Sequence, residues 1–152
     1  MNYLDDEKFM RYAIRLAQSA SEHGNEPFGA LLVKDNKIVF KSENKIYTES
    51  DPTCHAELGL IRQFCSENNI QNLSEYTMYT SCEPCCMCSG AIVWANVGRV
   101  VYSLSHDELA KIAGFNIMIS SNEIFSKSPH KPETIGGLLS SQAAEIYKNY
   151  FK

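Results

Sequence analysis

Residues 82–88, CEPCCMC, hold four of the six cysteines of this 152-residue chain. Cys85 and Cys88 stand three positions apart after Pro84, a spacing that places both thiols on one face of a helix start. The open backbone amides and the positive dipole end of such a helix favour the thiolate form of cysteine. Because thiolates are preferred zinc ligands, the pair predicts a metal site.

His55 and Glu57 lie upstream of this cluster, on either side of Ala56. A neutral imidazole is also a preferred zinc ligand, and three protein ligands leave one tetrahedral position for water, as in catalytic sites. Zinc lowers the pKa of such a water from about 16 to about 7, and a carboxylate must then move protons, for which Glu57 is the candidate. Because positions i and i+2 of a helix face nearly opposite ways, His55 must stand at the very start of its helix.

Two other interpretations of the cysteines remain open. Cys85 and Cys88 also have the spacing of a redox pair. Cys82 and Cys85 also have the spacing of zinc ligands. The alternative to an enzyme is therefore a noncatalytic module whose fold is held by a structural zinc ion with four protein ligands. In that alternative Glu57 would have no proton to transfer.

Composition predicts one globular domain over residues 1–152, because 44% of residues are hydrophobic and 21% are charged. The net charge of -4 supplies no general basic field for nucleic acid. The first ten residues, MNYLDDEKFM, lack the basic start and apolar run of a signal peptide. We therefore expect a cytoplasmic protein without a membrane span, in which cysteines serve metal binding or catalysis.

Apolar periodicity and turn residues predict alternating strands and helices, and hence a layered α/β domain. Helices are expected over 5–22, within 51–68, from Pro84 onward as first helical residue, over 106–114 and over 141–151. Strands are expected as a hairpin over 28–40, over 76–81 and 99–104, and near either 115–119 or 134–139. The stretch around this last strand is also expected to hold a loop rich in Ser, Pro and Lys, and a lid or a dimer contact are the two roles considered for residues 116–136.

The motif H-A-E at 55–57, followed by P-C-x-x-C at 84–88, resembles the signature of the zinc-dependent cytidine and nucleobase deaminases. The resemblance extends from the first helix to about Phe115. It implies a cytidine-deaminase-like three-layer fold, in which helices flank a five-stranded mixed sheet, and a homodimer. It also implies one Zn²⁺ per chain on His55, Cys85 and Cys88, with Glu57 moving protons from the attacking water to the ring nitrogen and the leaving ammonia.

Segments outside the metal motif resemble the bacterial guanine deaminases, namely EPFGALLV, SDPTCHAE, YTSCEPCCMCSGAIVWA and AGF. By this resemblance Phe28 and Trp94 form an aromatic wall against a flat purine, and Asn44 hydrogen-bonds the base. The backbone amide of Ala56 and the side chain of His106 are further candidate substrate contacts. Each candidate side chain also has a structural alternative, as a core aromatic residue, a turn residue or a helix-start neighbour.

One departure from the guanine-type pattern concerns the acidic pair that follows Ala-Gly-Phe in those enzymes. This chain has Phe115-Asn116-Ile117 there, so that Asn116 or Glu123 must serve, or the substrate differs.

The segments DPTCHAE and EPCCMCSGA and the closing helix are also similar to tRNA adenosine deaminases, and Lys148 and Lys152 are candidate phosphate contacts. The favoured reaction is conversion of guanine to xanthine and ammonia. The alternatives are conversion of adenosine to inosine in tRNA, and deamination of another small base or nucleoside.

Overall fold

One five-stranded mixed sheet forms the centre of the computed structural model, which describes residues 3–152. The elements in chain order are α1 (Tyr3–Glu22), β1 (Gly29–Lys34), β2 (Lys37–Glu43), α2 (Ala56–Asn68), β3 (Thr77–Cys82), α3 (Cys86–Trp94), β4 (Arg99–Leu104), α4 (His106–Ala113), α5 (Ser121–Ser126), β5 (Glu133–Ile135) and α6 (Ser140–Tyr150). The predicted fold class, a layered α/β domain with a mixed sheet, is confirmed.

The sheet has the strand order β2-β1-β3-β4-β5. β1 pairs antiparallel with β2 and with β3, whereas β3, β4 and β5 run parallel. Asp35 and Asn36 form the predicted hairpin turn, with φ angles of 50° and 60°. Positive φ at both central residues is the geometry that matches the twist of the paired strands.

The two faces of the sheet bury different helices because successive side chains of a strand point to opposite faces. On β1, Leu31 and Val33 pack in the cluster that contains residues of α1, α4 and α6. Ala30 and Leu32 pack in the cluster that contains residues of α2, α3 and α5. Helices therefore cover both faces, as predicted.

α1 lies very close to β1. A Cβ atom at Gly29 would stand 2.6 Å from the backbone nitrogen of Ala17 and 2.7 Å from the carbonyl oxygen of Ala13, so only glycine fits there. Phe9, Ala13, Ala17 and Ala20 are buried, which confirms the predicted amphipathic helix.

Two expectations need correction, and one open choice is decided. Pro84 is not the first helical residue, because Cys85 is the N-cap and α3 begins at Cys86. α5 was not predicted; it has six residues and a capping box between Ser120 and Glu123, too short for apolar periodicity. The last strand is Glu133–Ile135, the later of the two alternatives. None of the helices within residues 3–152 has the length and apolar character that a membrane crossing requires.

Candidate active site

Two helix starts bring the predicted metal ligands together. His55 is the N-cap of α2, and Cys85 is the N-cap of α3, both with extended backbone. Cys88 lies in the first turn of α3. The requirement that His55 stand at the start of its helix is therefore met, and His55 and Glu57 line the same cavity although they are only two positions apart.

The three predicted ligand atoms fit a tetrahedral zinc ion. His55 Nδ1 lies 3.5 Å from Cys85 Sγ and 3.8 Å from Cys88 Sγ, and all three atoms are within 4.8 Å of one another. Ligands at zinc bond lengths of about 2.0–2.3 Å stand about 3.5–3.8 Å apart in a tetrahedron. The donor set and its spacing therefore suit Zn²⁺.

Cys82 does not join this group. Among the described residues, the one set of His, Cys, Asp and Glu side chains close enough to share an ion is His55, Cys85 and Cys88. Cys82 is buried, and burial raises its pKa well above the ordinary value. The arrangement has three protein ligands, which is the number found in catalytic zinc sites.

The two cysteine ligands share a hydrogen bond that affects both of their pKa values. The bond with Cys88 lowers the pKa of Cys85 to about 4, and His55 adds to this effect. The same bond, together with burial, raises the pKa of Cys88. Cys85 is thus prepared as a thiolate, and metal binding must release the proton of Cys88, because metal ligands bind in the deprotonated form.

Glu57 is 5% exposed and lines the cavity next to the ligands. Burial and repulsion from Cys85 raise its pKa to about 7. A carboxyl group with a pKa near neutrality both accepts and gives up protons readily at physiological pH.

A cavity of about 210 Å³ opens beside these residues. Its lining includes the predicted substrate contacts Phe28, Asn44 and His106. A larger groove of about 530 Å³ runs along α2 and residues 45–54, but none of the predicted catalytic or substrate residues lines it. The smaller cavity is therefore the candidate active site.

Phe28 and Asn44 are held by the protein and also face this cavity. The Phe28 ring packs against Tyr147 with 5.3 Å between ring centroids. Asn44 is 1% exposed, and its Oδ1 accepts a hydrogen bond of 3.1 Å from the backbone amide of Ile46. Within residues 3–152, no hydrogen-bond partner is found for Asn44 Nδ2, so that this donor is available to a ligand.

His106 lines the cavity, but both of its ring nitrogens already have partners. Nε2 donates to the carbonyl oxygen of Pro84 at 3.0 Å, so Nδ1 is the acceptor of the 2.8 Å bond from Asn116 Nδ2. The side chain therefore fixes the segment before Cys85 instead of offering a free nitrogen to a substrate.

The structure does not bring Trp94, Ala56 or Glu123 into this cavity. Trp94 is 85% exposed at the end of α3, about 13 Å along the helix axis from its N-cap, so it cannot form a wall of the base site within one chain. The Ala56 side chain is fully buried; its backbone amide stays a prediction. Glu123 is occupied in the capping box of α5.

Sequence reasoning missed Glu26, whose side chain also lines the cavity. Burial raises the pKa of this carboxyl group, although His55 partly opposes the effect. Glu26 opens the segment EPFGALLV. No motif spacing predicts that Glu26 is a site residue. The one available signal was that Glu26 belongs to this segment.

Comparisons with known proteins agree with this geometry. Residues 4–104 match the family described as the cytidine and deoxycytidylate deaminase zinc-binding region. The chain is 40% identical over 122 residues to the guanine deaminase of Bacillus subtilis, covering 80% of this chain and 78% of that protein.

Two further relatives concern tRNA. The tRNA-specific adenosine deaminase of Haemophilus influenzae is 36% identical over 152 residues, covering 97% of this chain and 83% of that protein. A solved structure from a study of A-to-I editing by tRNA:A34 deaminases has a TM-score of 0.79 at 33% identity, covering 91% of this chain and 98% of that one.

Proposed function

This chain belongs to the cytidine and deoxycytidylate deaminase family and is a zinc-dependent aminohydrolase, and on that premise we propose that it converts guanine to xanthine and ammonia. The observation that carries this proposal is the cavity of about 210 Å³, with Phe28 on its wall and Glu57 beside the three metal ligands. An enclosed, partly aromatic pocket suits a flat base.

The residues of the site supply the proton transfers that hydrolysis of an amine requires. Zinc, when bound to His55, Cys85 and Cys88, supplies the Lewis acidity that lowers the pKa of water. Glu57 accepts a proton from the attacking water and delivers it to the ring nitrogen beside the carbon that bears the amine. A second proton passes through the same carboxylate to the amine, which leaves as ammonia, while the water oxygen becomes the carbonyl of the product.

Two side chains contact the base in this proposal, and a third positions the site. Phe28 stacks on the ring, and Asn44 donates through Nδ2 to an acceptor on the base. His106 acts as a positioning residue, because its bond to Pro84 fixes the approach to Cys85.

Deamination of adenosine in tRNA is the second candidate. It is supported by the relative that covers 97% of this chain and by exposed Lys148 on α6. The net charge of -4 weighs against it, because phosphate contacts from lysine and arginine normally supply much of the affinity for nucleic acid. Another small base or nucleoside is the third candidate.

A homodimer and a cytoplasmic location complete the proposal. The dimer is supported by the family resemblance. The location is supported by six free cysteines, since the two ligand cysteines must stay reduced to bind metal.

A single screen of ammonia release tests the substrate. The purified zinc enzyme is incubated with guanine, adenine, cytosine, their nucleosides and a tRNA anticodon stem-loop, and Glu57→Gln serves as the inactive control. We expect release from guanine. Activity on the stem-loop alone would overturn the proposal in favour of the tRNA reaction.

A further inference from the structure

Three glutamate side chains line the active-site cavity, and two of them already have a task. Glu57 moves protons in the proposed reaction. Glu83 accepts hydrogen bonds from the backbone amides of His106 and Ser121 and from the Ser121 hydroxyl group. Within residues 3–152, the Glu26 carboxylate has neither a hydrogen bond nor an ion pair, although the side chain is partly buried.

Glu26 lines the same cavity as His55, Glu57 and Phe28. It precedes Pro27 and Phe28, and the Glu26 carbonyl oxygen accepts a 2.9 Å hydrogen bond from the Phe28 amide, which fixes the backbone at this wall. The carboxylates of Glu26 and Glu57 both interact electrostatically with His55. Glu26 therefore shares one cavity with the metal ligands His55 and Cys85 and with the ring on which a base would stack.

A carboxylate in this position has acceptors to offer and no donors. When a ligand excludes solvent from the carboxylate, an unpaired carboxylate oxygen is unfavourable. A ligand N–H that donates a hydrogen bond to this oxygen removes the unfavourable free energy. Guanine and isocytosine carry a ring N–H next to the carbon that bears the amine. Adenine and cytosine have a bare acceptor nitrogen at that position, which a carboxylate would repel.

The other side chains that sequence reasoning offered for this task are occupied. Asn116 donates through Nδ2 to His106, and its Oδ1 accepts from the backbone amide of Ile117. Glu123 caps α5 and lies outside the cavity lining.

We propose that Glu26 is the residue that selects the substrate class, accepting a hydrogen bond from the ring N–H beside the amine-bearing carbon of a 2-amino-4-oxo ring. This inference rests on the proposed function. It places the acid that recognises the base at the start of β1, whereas the guanine-type pattern has it after α4. An acceptor built for a substrate N–H rejects analogues that lack this donor far more strongly than an apolar wall does.

The test measures kcat/KM for guanine, isocytosine, adenine and cytosine in the zinc-loaded wild type and in Glu26→Gln. The matched control is Glu49→Gln, an exposed carboxylate on a neighbouring loop that does not line this cavity. We expect Glu26→Gln to lower kcat/KM for the two N–H bases by about tenfold to a hundredfold, the range for a hydrogen bond to a charged group. We expect Glu49→Gln to change little.

A binding measurement gives a readout that is independent of turnover. In a Glu57→Ala background, equilibrium dialysis gives the Kd of guanine with and without Glu26→Gln, and metal analysis checks that zinc content is equal. We expect the Kd to rise by the same factor at unchanged zinc. An unchanged Kd and unchanged base preference in an enzyme that deaminates guanine would overturn the role of Glu26 alone, whereas a wild type inactive on guanine would overturn the proposed function.

Discussion

Glu83 accepts hydrogen bonds from both the backbone amide and the hydroxyl group of Ser121, at 2.8 and 2.7 Å. Its other carboxylate oxygen accepts from the backbone amide of His106 at 2.9 Å. Ser121 and His106 are the first residues of α5 and α4. One carboxylate therefore ties two helix starts to the segment that leads from β3 to the metal-binding cysteines.

Glu83→Ala should be strongly destabilising, because it leaves three buried donors without an acceptor. We expect the free energy of unfolding to fall by about 3 kcal/mol or more, measured by urea denaturation of the zinc-loaded protein. Glu75→Ala is the control, since Glu75 is 77% exposed and pairs with Lys34 on the surface; it should cost less than about 1 kcal/mol. Equal effects of the two changes would contradict the bridging role.

Glu57→Gln should retain one zinc ion per chain and lose turnover. The amide has nearly the shape of the carboxylate but cannot carry protons, so ammonia release should fall at least about 100-fold. Metal content by atomic absorption and ammonia release are measured on the same sample. Persistence of turnover would show that another group moves the protons.

Zinc content should depend on Cys85 and Cys88 and not on their neighbour Cys86. Cys85→Ser and Cys88→Ser each remove a thiolate ligand, and we expect both variants to lose most of their zinc during dialysis against a weak chelator. Cys86→Ser is the matched control and should keep its zinc. Loss of zinc from Cys86→Ser alone would refute the assigned ligand set.

The metal site and the main layers of the fold were predictable because the signals are local. Residue type and spacing indicate that His55, Cys85 and Cys88 are metal ligands. Each of them stands at a helix start that the neighbouring residues specify. β1 contains the apolar run ALLV and β4 the run VVY, which is typical of strands buried on both faces, whereas β3 is indicated by its β-prone Thr, Met and Tyr residues.

The features that sequence reasoning missed depend on tertiary contacts. β5 has three residues, too few for a period, and pairing with β4 defines it. α5 is held by Glu83, which is distant in sequence. Whether Trp94 faces a cavity or solvent depends on how α3 lies on the sheet, and Glu26 becomes a site residue only because the segment between α1 and β1 lines the same cavity as His55.

Phe28→Leu should weaken base binding and, to a smaller extent, stability. The change removes a stacking surface for the base and a ring contact with Tyr147, so KM should rise about tenfold while the free energy of unfolding falls by about 1 kcal/mol. Phe40→Leu is the control, because Phe40 contacts Phe64 at 5.8 Å between ring centroids and lies outside the cavity lining. It should lower stability without changing KM; a KM unchanged in Phe28→Leu would make that ring purely structural.

Asp6 and Arg99 form a buried ion pair that should make stability depend on pH. Two hydrogen bonds join the side chains, at 2.8 and 2.6 Å, and the Tyr79 hydroxyl group donates to Asp6 at 2.6 Å. Burial alone would raise the pKa of Asp6, but the bonds from Arg99 and Tyr79 and the attraction to the guanidinium group outweigh it and hold the pKa below the ordinary 3.8. Asp6 thus links α1 to β3 and β4.

Because the pKa of Asp6 is lower in the folded state than in the unfolded chain, its contribution to stability is fully present above the ordinary value of 3.8 and is lost as the pH falls from there through the lower folded-state pKa. At pH 7, Asp6→Asn leaves the largely buried guanidinium group with the exposed Glu133, at 3.5 Å, as its remaining ionic partner, and should lower the free energy of unfolding by about 3 kcal/mol. Urea denaturation of wild type and variant is carried out at one temperature and at about pH 7, 5, 4 and 3. The difference between their free energies of unfolding should be constant from about pH 7 to 5 and should shrink below about pH 4. Loss of zinc at low pH affects both proteins equally and cancels in this difference.

Asp107→Asn, in the exposed first turn of α4, controls for the helix dipole and should lower the free energy of unfolding by about 0.5 kcal/mol. A difference for Asp6→Asn that does not change down to about pH 3 would refute the linkage.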